Sequence, residues 1–317
     1  MSCAGALTLV GSALAGNGGL LPVAPSSPNA SRITDAYIFI LIFTGVIFVG
    51  VEGALLAFVI RYRRGKRART VEGPQIHGST KLEVLWTVVP AVILAVIGGF
   101  VFYKLPGITN PPAASAADET TITVEGRQFY WLFRYPNGAI SVGTMVAPAN
   151  EVVHEDVVSP DNDVVHSWWV PAFGGKIDAI PGRTNHTWFE APAGSYSGRC
   201  SDLCGIQHAE MTAIVRVVSP AAYARFITTR AQAASGTALG YEEYQHVCAT
   251  CHRLDTQYVG PSLGKDPLLT DRKNLETILR QGIGTMPAVG SDWSDAQIAA
   301  LVAYTKTLIG GAHGSTG

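Results

Sequence analysis

At 317 residues the chain has room for two or three domains, and only 15% of it is charged. Its positive mean hydropathy points to a membrane protein with substantial polar parts. A net charge of −1, with no G-x-x-x-x-G-K-[ST] or G-x-G-x-x-G between a strand and a helix, leaves nucleic-acid and nucleotide binding without support.

Residues 1–32 form an N-terminal segment. MSCAGALTLVGSALAG is apolar with small residues but has no basic start. It reads equally as a signal peptide with a shortened n-region and as a disordered end. Cys3 fits a lipoprotein site only if the true start lies further upstream. LLPVAPSSPNAS then reads as a loop.

Residues 33–105 read as a transmembrane hairpin. YIFILIFTGVIFVGVEGALLAFVI (37–60) is apolar except for Thr44 and Glu52. At about 1.5 Å per residue it crosses a hydrocarbon core of roughly 30 Å. Arg61, Arg63, Arg64, Lys66, Arg67 and Arg69 follow directly, and the positive-inside rule puts this connection in the cytoplasm. The rival reading of the run, a nucleic-acid patch, is weaker because no aromatics are interleaved. VLWTVVPAVILAVIGGFVFY (84–103) is the second span, where neighbouring helices can satisfy the carbonyl freed by Pro90. Both chain ends then lie outside, so everything after about residue 105 is periplasmic or extracellular. Glu52 lies inside the first span, where a structural role is favoured over a functional one. Glu83, just before the second, reads first as a carboxylate at the positive end of a helix dipole.

From Thr121 the texture changes to short β-rich runs divided by Pro, Asn, Asp and Gly. Residues 118–218 therefore read as a β-sandwich or barrel of about a hundred residues. GRCSDLCGIQHAEM supplies Cys200, Cys204, His208 and Met211 from one loop, a soft donor set that suits copper. A further histidine should come from an earlier strand, and VVHSWWVP offers His166; His154 and His186 are alternatives without an apolar flank. Zinc is the rival metal but leaves Met211 idle. A Cys200–Cys204 disulfide explains neither His208 nor Met211. Trp131 reads as core packing. Glu155, Asp156, Asp161 and Asp163 form an acidic run that reads equally as a solvated loop and as a docking face steered by charge.

DVVHSWWVPAFGGKIDAIPGR followed by CSDLCGIQHAEM resembles subunit II of the haem-copper cytochrome c oxidases, and KLEVLWTVVP resembles that family's second-helix start. The likeness spans roughly residues 33 to 217 and implies a cupredoxin sandwich with a binuclear copper centre, CuA. In that family Cys200 and Cys204 would bridge both coppers, and His166 and His208 would each bind one. Met211 and the Asp202 carbonyl would be weak ligands. The Asp202 carboxylate would reach a Mg or Mn ion shared with subunit I, although the family usually has the longer Glu there. Phe129, in Gln128-Phe129-Tyr130-Trp131, takes the place of the Trp through which electrons usually come in. Glu83 matches a glutamate at the start of a proton channel leading into subunit I.

SPAAYARFITTRAQAASGTALG starts at Ser219, and residues 219–237 read as a linker. The final module, 238–312, contains C-A-T-C-H, the attachment signature of c-type haem. Cys248 and Cys251 would form thioether links and His252 would be an axial ligand. A thioredoxin-like site would need a βαβ unit, and zinc would need more cysteines. The chain has four methionines, and Met286 is the only one in this module, so elimination makes it the second axial ligand. His246 reads as a surface histidine. GPSLG resembles the cytochrome Pro turn, which implies that the Pro261 carbonyl orients His252. A small all-α cytochrome c is expected, closed by an amphipathic helix capped at Ser294.

The whole predicts a multidomain membrane protein: a two-helix hairpin, an all-β cupredoxin sandwich and an all-α cytochrome c domain. It would be subunit II of a proton-translocating terminal oxidase in a bacterial plasma membrane. Subunits I and III, membrane lipid, and a cytochrome c or quinol–cytochrome c reductase as donor would be its partners, with oxygen reduced on subunit I. A CuA-bearing subunit of a nitric oxide reductase is the alternative.

Overall fold

The computed structural model describes residues 21–63, 75, 77–112, 119–264, 266–269 and 271–312. The N-terminal residues through 20, with Cys3, and the basic residues Arg64, Lys66, Arg67 and Arg69 lie outside the described residues. The chain divides into two compact units, one holding residues 31–108 and the other residues 23–30 with 109–317.

The first unit is the hairpin. Helix α1 spans Pro28–Tyr62 and α2 spans Thr80–Lys104, and both are long and apolar enough to cross a membrane. Their apolar side chains, Phe48, Leu94 and Phe102 among them, are exposed, as expected for surfaces that face lipid or a partner. Phe39 stacks on Phe100 at 4.0 Å, and Lys104 pairs with Asp35 at 2.7 Å. Pro90 sits inside α2 without ending it. The loop expected through Ser31 is shorter than the sequence suggested. Helix begins at Pro28, because a proline's fixed φ and missing N–H suit a first helical turn. A one-turn helix α3, Pro106–Thr109, follows.

The second unit begins with ten strands: β1 Glu119–Arg127, β2 Tyr130–Arg134, β3 Ile140–Val142, β4 Thr144–Pro148, β5 Val152–Val158, β6 His166–Trp169, β7 Ile177–Ala179, β8 Asn185–Phe189, β9 Gly194–Cys200 and β10 Thr212–Val218. They form two five-stranded sheets, ordered β3-β2-β1-β5-β8 and β4-β10-β9-β6-β7. Strand β10 alternates in register with the pleat: Ala213, Val215 and Val217 point inward while Thr212, Ile214 and Arg216 point out. Facing side chains such as Ile122, Phe133, Met145, Trp168 and Val215 fill the space between the sheets.

Strand β2 departs from this alternation. Tyr130, Trp131, Leu132 and Phe133 are all buried. Trp131 and Phe133 enter the sandwich core, while Tyr130 and Leu132 enter a second core made by helices. A continuous apolar run is the mark of a strand covered on both faces. The covering helices are α5 Thr237–Glu243, α6 Arg272–Gln281 and α7 Asp295–Ala312, which bury Leu239, Leu279, Trp293 and Leu301. Helices α5 and α7 cross so closely that a Cβ on Gly240 would lie 1.9 Å from the Ala300 carbonyl oxygen.

The expected linker is largely helical. Helix α4 spans Pro220–Gln232, and the Ser219 side chain caps it by accepting from Ala222 N. Tyr223 and Phe226 pack against Tyr135 of the sandwich at 6.3 and 5.4 Å. Polar contacts join sandwich and helices. Buried Arg127 is hydrogen-bonded to Glu125 and Asp292, Tyr130 donates to the Val289 carbonyl at 2.8 Å, and Trp293 Nε1 donates to the Tyr130 hydroxyl at 2.9 Å. His246, expected at the surface, is half-buried. It packs over Gly143, where a Cβ would meet the ring at 2.2 Å, because the helical module lies on the β3–β4 turn.

Candidate functional site

The first cluster forms where three pieces of chain meet. Strand β9 ends at Cys200, a loop runs to β10, and β6 starts at His166. Backbone bonds close the loop: Cys200 N donates to Met211 O at 2.9 Å and Ser201 N to Ser167 O at 2.8 Å. The donor atoms of His166, Cys200 and Cys204 lie within 4.8 Å of one another. His208 Nδ1 is 3.5 Å from Cys204 Sγ, and Met211 Sδ is 3.7 Å from the same sulfur. The Asp202 carbonyl oxygen is 3.2 Å from Cys200 Sγ. His166, Cys200, Cys204 and Met211 are all buried.

The cysteine sulfurs are 3.9 Å apart and unbonded, so the disulfide reading does not hold. Zinc would leave Met211 unused, yet its sulfur is buried against Cys204. Two thiolates, two imidazoles and a thioether in one dry site are the donors that copper favours, and they fit a binuclear centre. The two alternative histidines lie elsewhere: His186 pairs with Asp156 and His154 with Glu119.

Electrostatics supports metal binding. A hydrogen bond with Cys204 pushes the Cys200 thiol down to about 3, and the same bond pushes Cys204 up. Two neighbouring sulfurs do not both ionise until a cation sits between them. Burial pulls His166 down, but hydrogen bonds with Asp163 and Cys200 outweigh it and leave the group raised. Burial likewise raises Asp163, and bonds from His166, Val164 N and Gln128 N reverse that to a net lowering.

Asp163 was read as part of an acidic run. The structure breaks the run apart, because alternate residues of a strand face opposite ways. Glu155 is buried in the sandwich, Asp156 pairs with His186, and Asp163 faces His166. Trp131 is in the core, as read, with its ring 6.2 Å from that of His166.

The second site is a cavity of about 370 Å³ in the helical module. Cys248, Cys251 and His252 line it together with Met286, and Leu269, Ile278 and Leu279 supply apolar wall. His252 Nδ1 donates to the Pro261 carbonyl at 2.8 Å, which leaves Nε2 free to serve as a ligand. Met286 sits in a tight turn closed by reciprocal backbone bonds with Ile283. The cradle fits a covalent haem: two thiols, an oriented imidazole, a thioether and apolar lining.

Sequence reasoning missed how close the two sites are. Gln128, Phe129 and Ile206 of the sandwich also line the cavity. Gln128 Nε2 donates to the Cys204 carbonyl at 2.6 Å. The only available signal was the unbroken apolar run after Gln128.

The carboxylates of Asp202 and Glu83 face outward. The Asp202 side chain is exposed and accepts from Leu203 N at 3.1 Å. Glu83 is exposed in the first turn of α2.

Three family models match parts of the chain. Residues 17–103 match the family model "Cytochrome C oxidase subunit II, transmembrane domain". Residues 140–218 match the corresponding periplasmic domain, and residues 235–304 match "Cytochrome C oxidase, cbb3-type, subunit III". Cytochrome c oxidase subunit 2 of Alkalihalophilus pseudofirmus is 31% identical over 95% of this chain and 94% of its own length. That of Cereibacter sphaeroides is 36% identical over 73% and 85%. A crystal structure of the periplasmic domain of subunit II of cytochrome oxidase from Bradyrhizobium japonicum is 37% identical, with a TM-score of 0.34, over 36% of this chain and 94% of that one.

Proposed function

The chain belongs to the cytochrome c oxidase subunit II family, and from that premise we propose that it relays electrons from a covalent haem c to CuA. The receiving partner is a catalytic haem-copper subunit I, which reduces dioxygen to water with proton translocation. As a family member the chain is a component of an oxidoreductase complex, with a copper domain and a cytochrome c domain. Bound in their sites, the two groups supply one-electron transfer.

The residues divide the work as follows. Cys200, Cys204, His166 and His208 would hold the copper centre, with Met211 and the Asp202 carbonyl as weaker ligands. The rigid sandwich holds these donors in both redox states. Cys248 and Cys251 would attach the haem, and His252 and Met286 would both ligate its iron, a ligand pair suited to electron transfer. The exposed Asp202 carboxylate offers a hard oxygen for a Mg or Mn ion shared with subunit I. Leu203, 81% exposed beside the copper ligands, gives subunit I an apolar seat. Glu83 collects protons at the cytoplasmic mouth. A bacterial plasma membrane, a subunit III and a cytochrome or quinol–cytochrome c reductase donor complete the proposal.

One observation carries this reading: Gln128 and Phe129 form wall of the haem cavity, while Gln128 also holds the Cys204 carbonyl. The test is to inject an electron into the haem of the purified complex with a light-triggered reductant. Haem reoxidation matched by loss of the copper absorption supports the relay, and a haem that stays reduced refutes it.

A further inference from the structure

The copper loop and the haem-attachment loop touch through a side chain that neither site requires as a ligand. Gln207 directly precedes His208 and is only 6% exposed. Its Nε2 donates to the Thr250 carbonyl at 3.0 Å, a good amide hydrogen bond, and Thr250 stands between Cys248 and Cys251.

Both ends of this bridge are fixed. The Gln207 carbonyl accepts from Glu210 N at 3.0 Å, pinning the turn that carries His208. The Thr250 hydroxyl donates to the His246 carbonyl at 3.0 Å, and His252 N donates to Cys248 O at 2.9 Å.

We propose that Gln207 is the positioning residue that couples the haem pocket electronically to the copper centre. This deepens the electron relay proposed above and rests on it. The route runs from Cys251 through its peptide bond to the Thr250 carbonyl. It crosses one hydrogen bond to the Gln207 amide and reaches the imidazole of His208 through covalent bonds. Tunnelling decays far less steeply along bonds than across gaps. Gln128 also donates to the copper loop, at the Cys204 carbonyl, but meets the haem pocket only as part of the cavity wall.

Gln207→Leu keeps the bulk and loses the donor. Gln207→Glu keeps the shape and sets an acceptor against the Thr250 carbonyl. Both are made in the intact complex and followed by light-triggered reduction of the haem. Haem-to-copper transfer should slow severalfold in each, with the copper spectrum, both potentials and the bimolecular reduction of the haem unchanged. Asn162→Ala removes a different contact between sandwich and helices, to Ser291 at 3.3 Å, and should transfer at the wild-type rate. A wild-type rate in both Gln207 variants overturns the proposal while leaving the relay intact. So does a loss that merely follows a shifted copper potential, since a structural role then accounts for it. If the wild-type complex itself passes no electron from haem to copper, the relay fails and the Gln207 assignment falls with it.

Discussion

Nε2 of His166 lies 3.3 Å from Oδ1 of Asp163, and Nδ1 of the same ring faces the Cys200 sulfur at 4.0 Å. One nitrogen is thus committed to a carboxylate and the other faces the cysteine pair of the proposed copper site. Such a carboxylate fixes the tautomer and raises the basicity of a ligating histidine. Asp163→Asn should weaken copper binding by about 10–100-fold and leave haem incorporation intact. Copper retention against a graded chelator measures this, and equal retention would remove Asp163 from the site.

Cysteine and methionine ligands should differ in severity. Cys200→Ser or Cys204→Ser should abolish the binuclear centre, because a bridging thiolate holds both metals. Met211→Leu fills the same buried space and should shift the potential while the centre survives. Electron paramagnetic resonance decides both: a full mixed-valence signal in either serine variant contradicts the bridge.

Met286→Ala should open the sixth coordination position of the haem, lower its potential and slow electron input. The expected signature is a spectrum without methionine ligation and with normal CuA. Unchanged axial ligation would show that another side chain takes that place.

Glu155 is buried in the sandwich with Trp168 Nε1 donating to it at 2.9 Å. Burial pushes its carboxyl from 4.5 up to about 8. The folded state therefore keeps a proton that the unfolded chain has already released. Stability is full below the unfolded value and falls as pH rises through about 8. Glu155→Gln retains an acceptor for Trp168 and cannot ionise, so it should flatten this slope and be the more stable protein at pH 8. Thermal unfolding of both proteins from pH 5 to 9 is the measurement, and parallel curves would count against the buried acid.

Glu83→Ala should slow steady-state turnover of the complex while copper content and haem-to-copper transfer stay normal, and Glu83→Asp should keep part of the rate. Turnover equal to wild type across the pH range would leave Glu83 as a helix-terminal carboxylate only.

The sequence by itself determined what is local. Cys200, Cys204, His208 and Met211 fall within one loop, and Cys248, Cys251 and His252 within five residues, so ligand chemistry and spacing were readable before any fold was known. The two spans were equally plain, since a bilayer demands an uninterrupted apolar length. Tertiary structure alone decided which distant groups serve those ligands. Asp163 and Glu155 look alike in sequence, yet the strand ending at Val158 buries one in the core and the chain beyond it brings the other to His166. Gln207 resembles any loop amide until the helical module places Thr250 against it. Taken singly, Tyr130 and Leu132 carry no mark of a second core in the sequence, and their helical partners come from residues 239–302. The contacts of Tyr130 and Leu132 join positions more than a hundred residues apart, so no local spacing records them, and they exist only once both faces of β2 are covered.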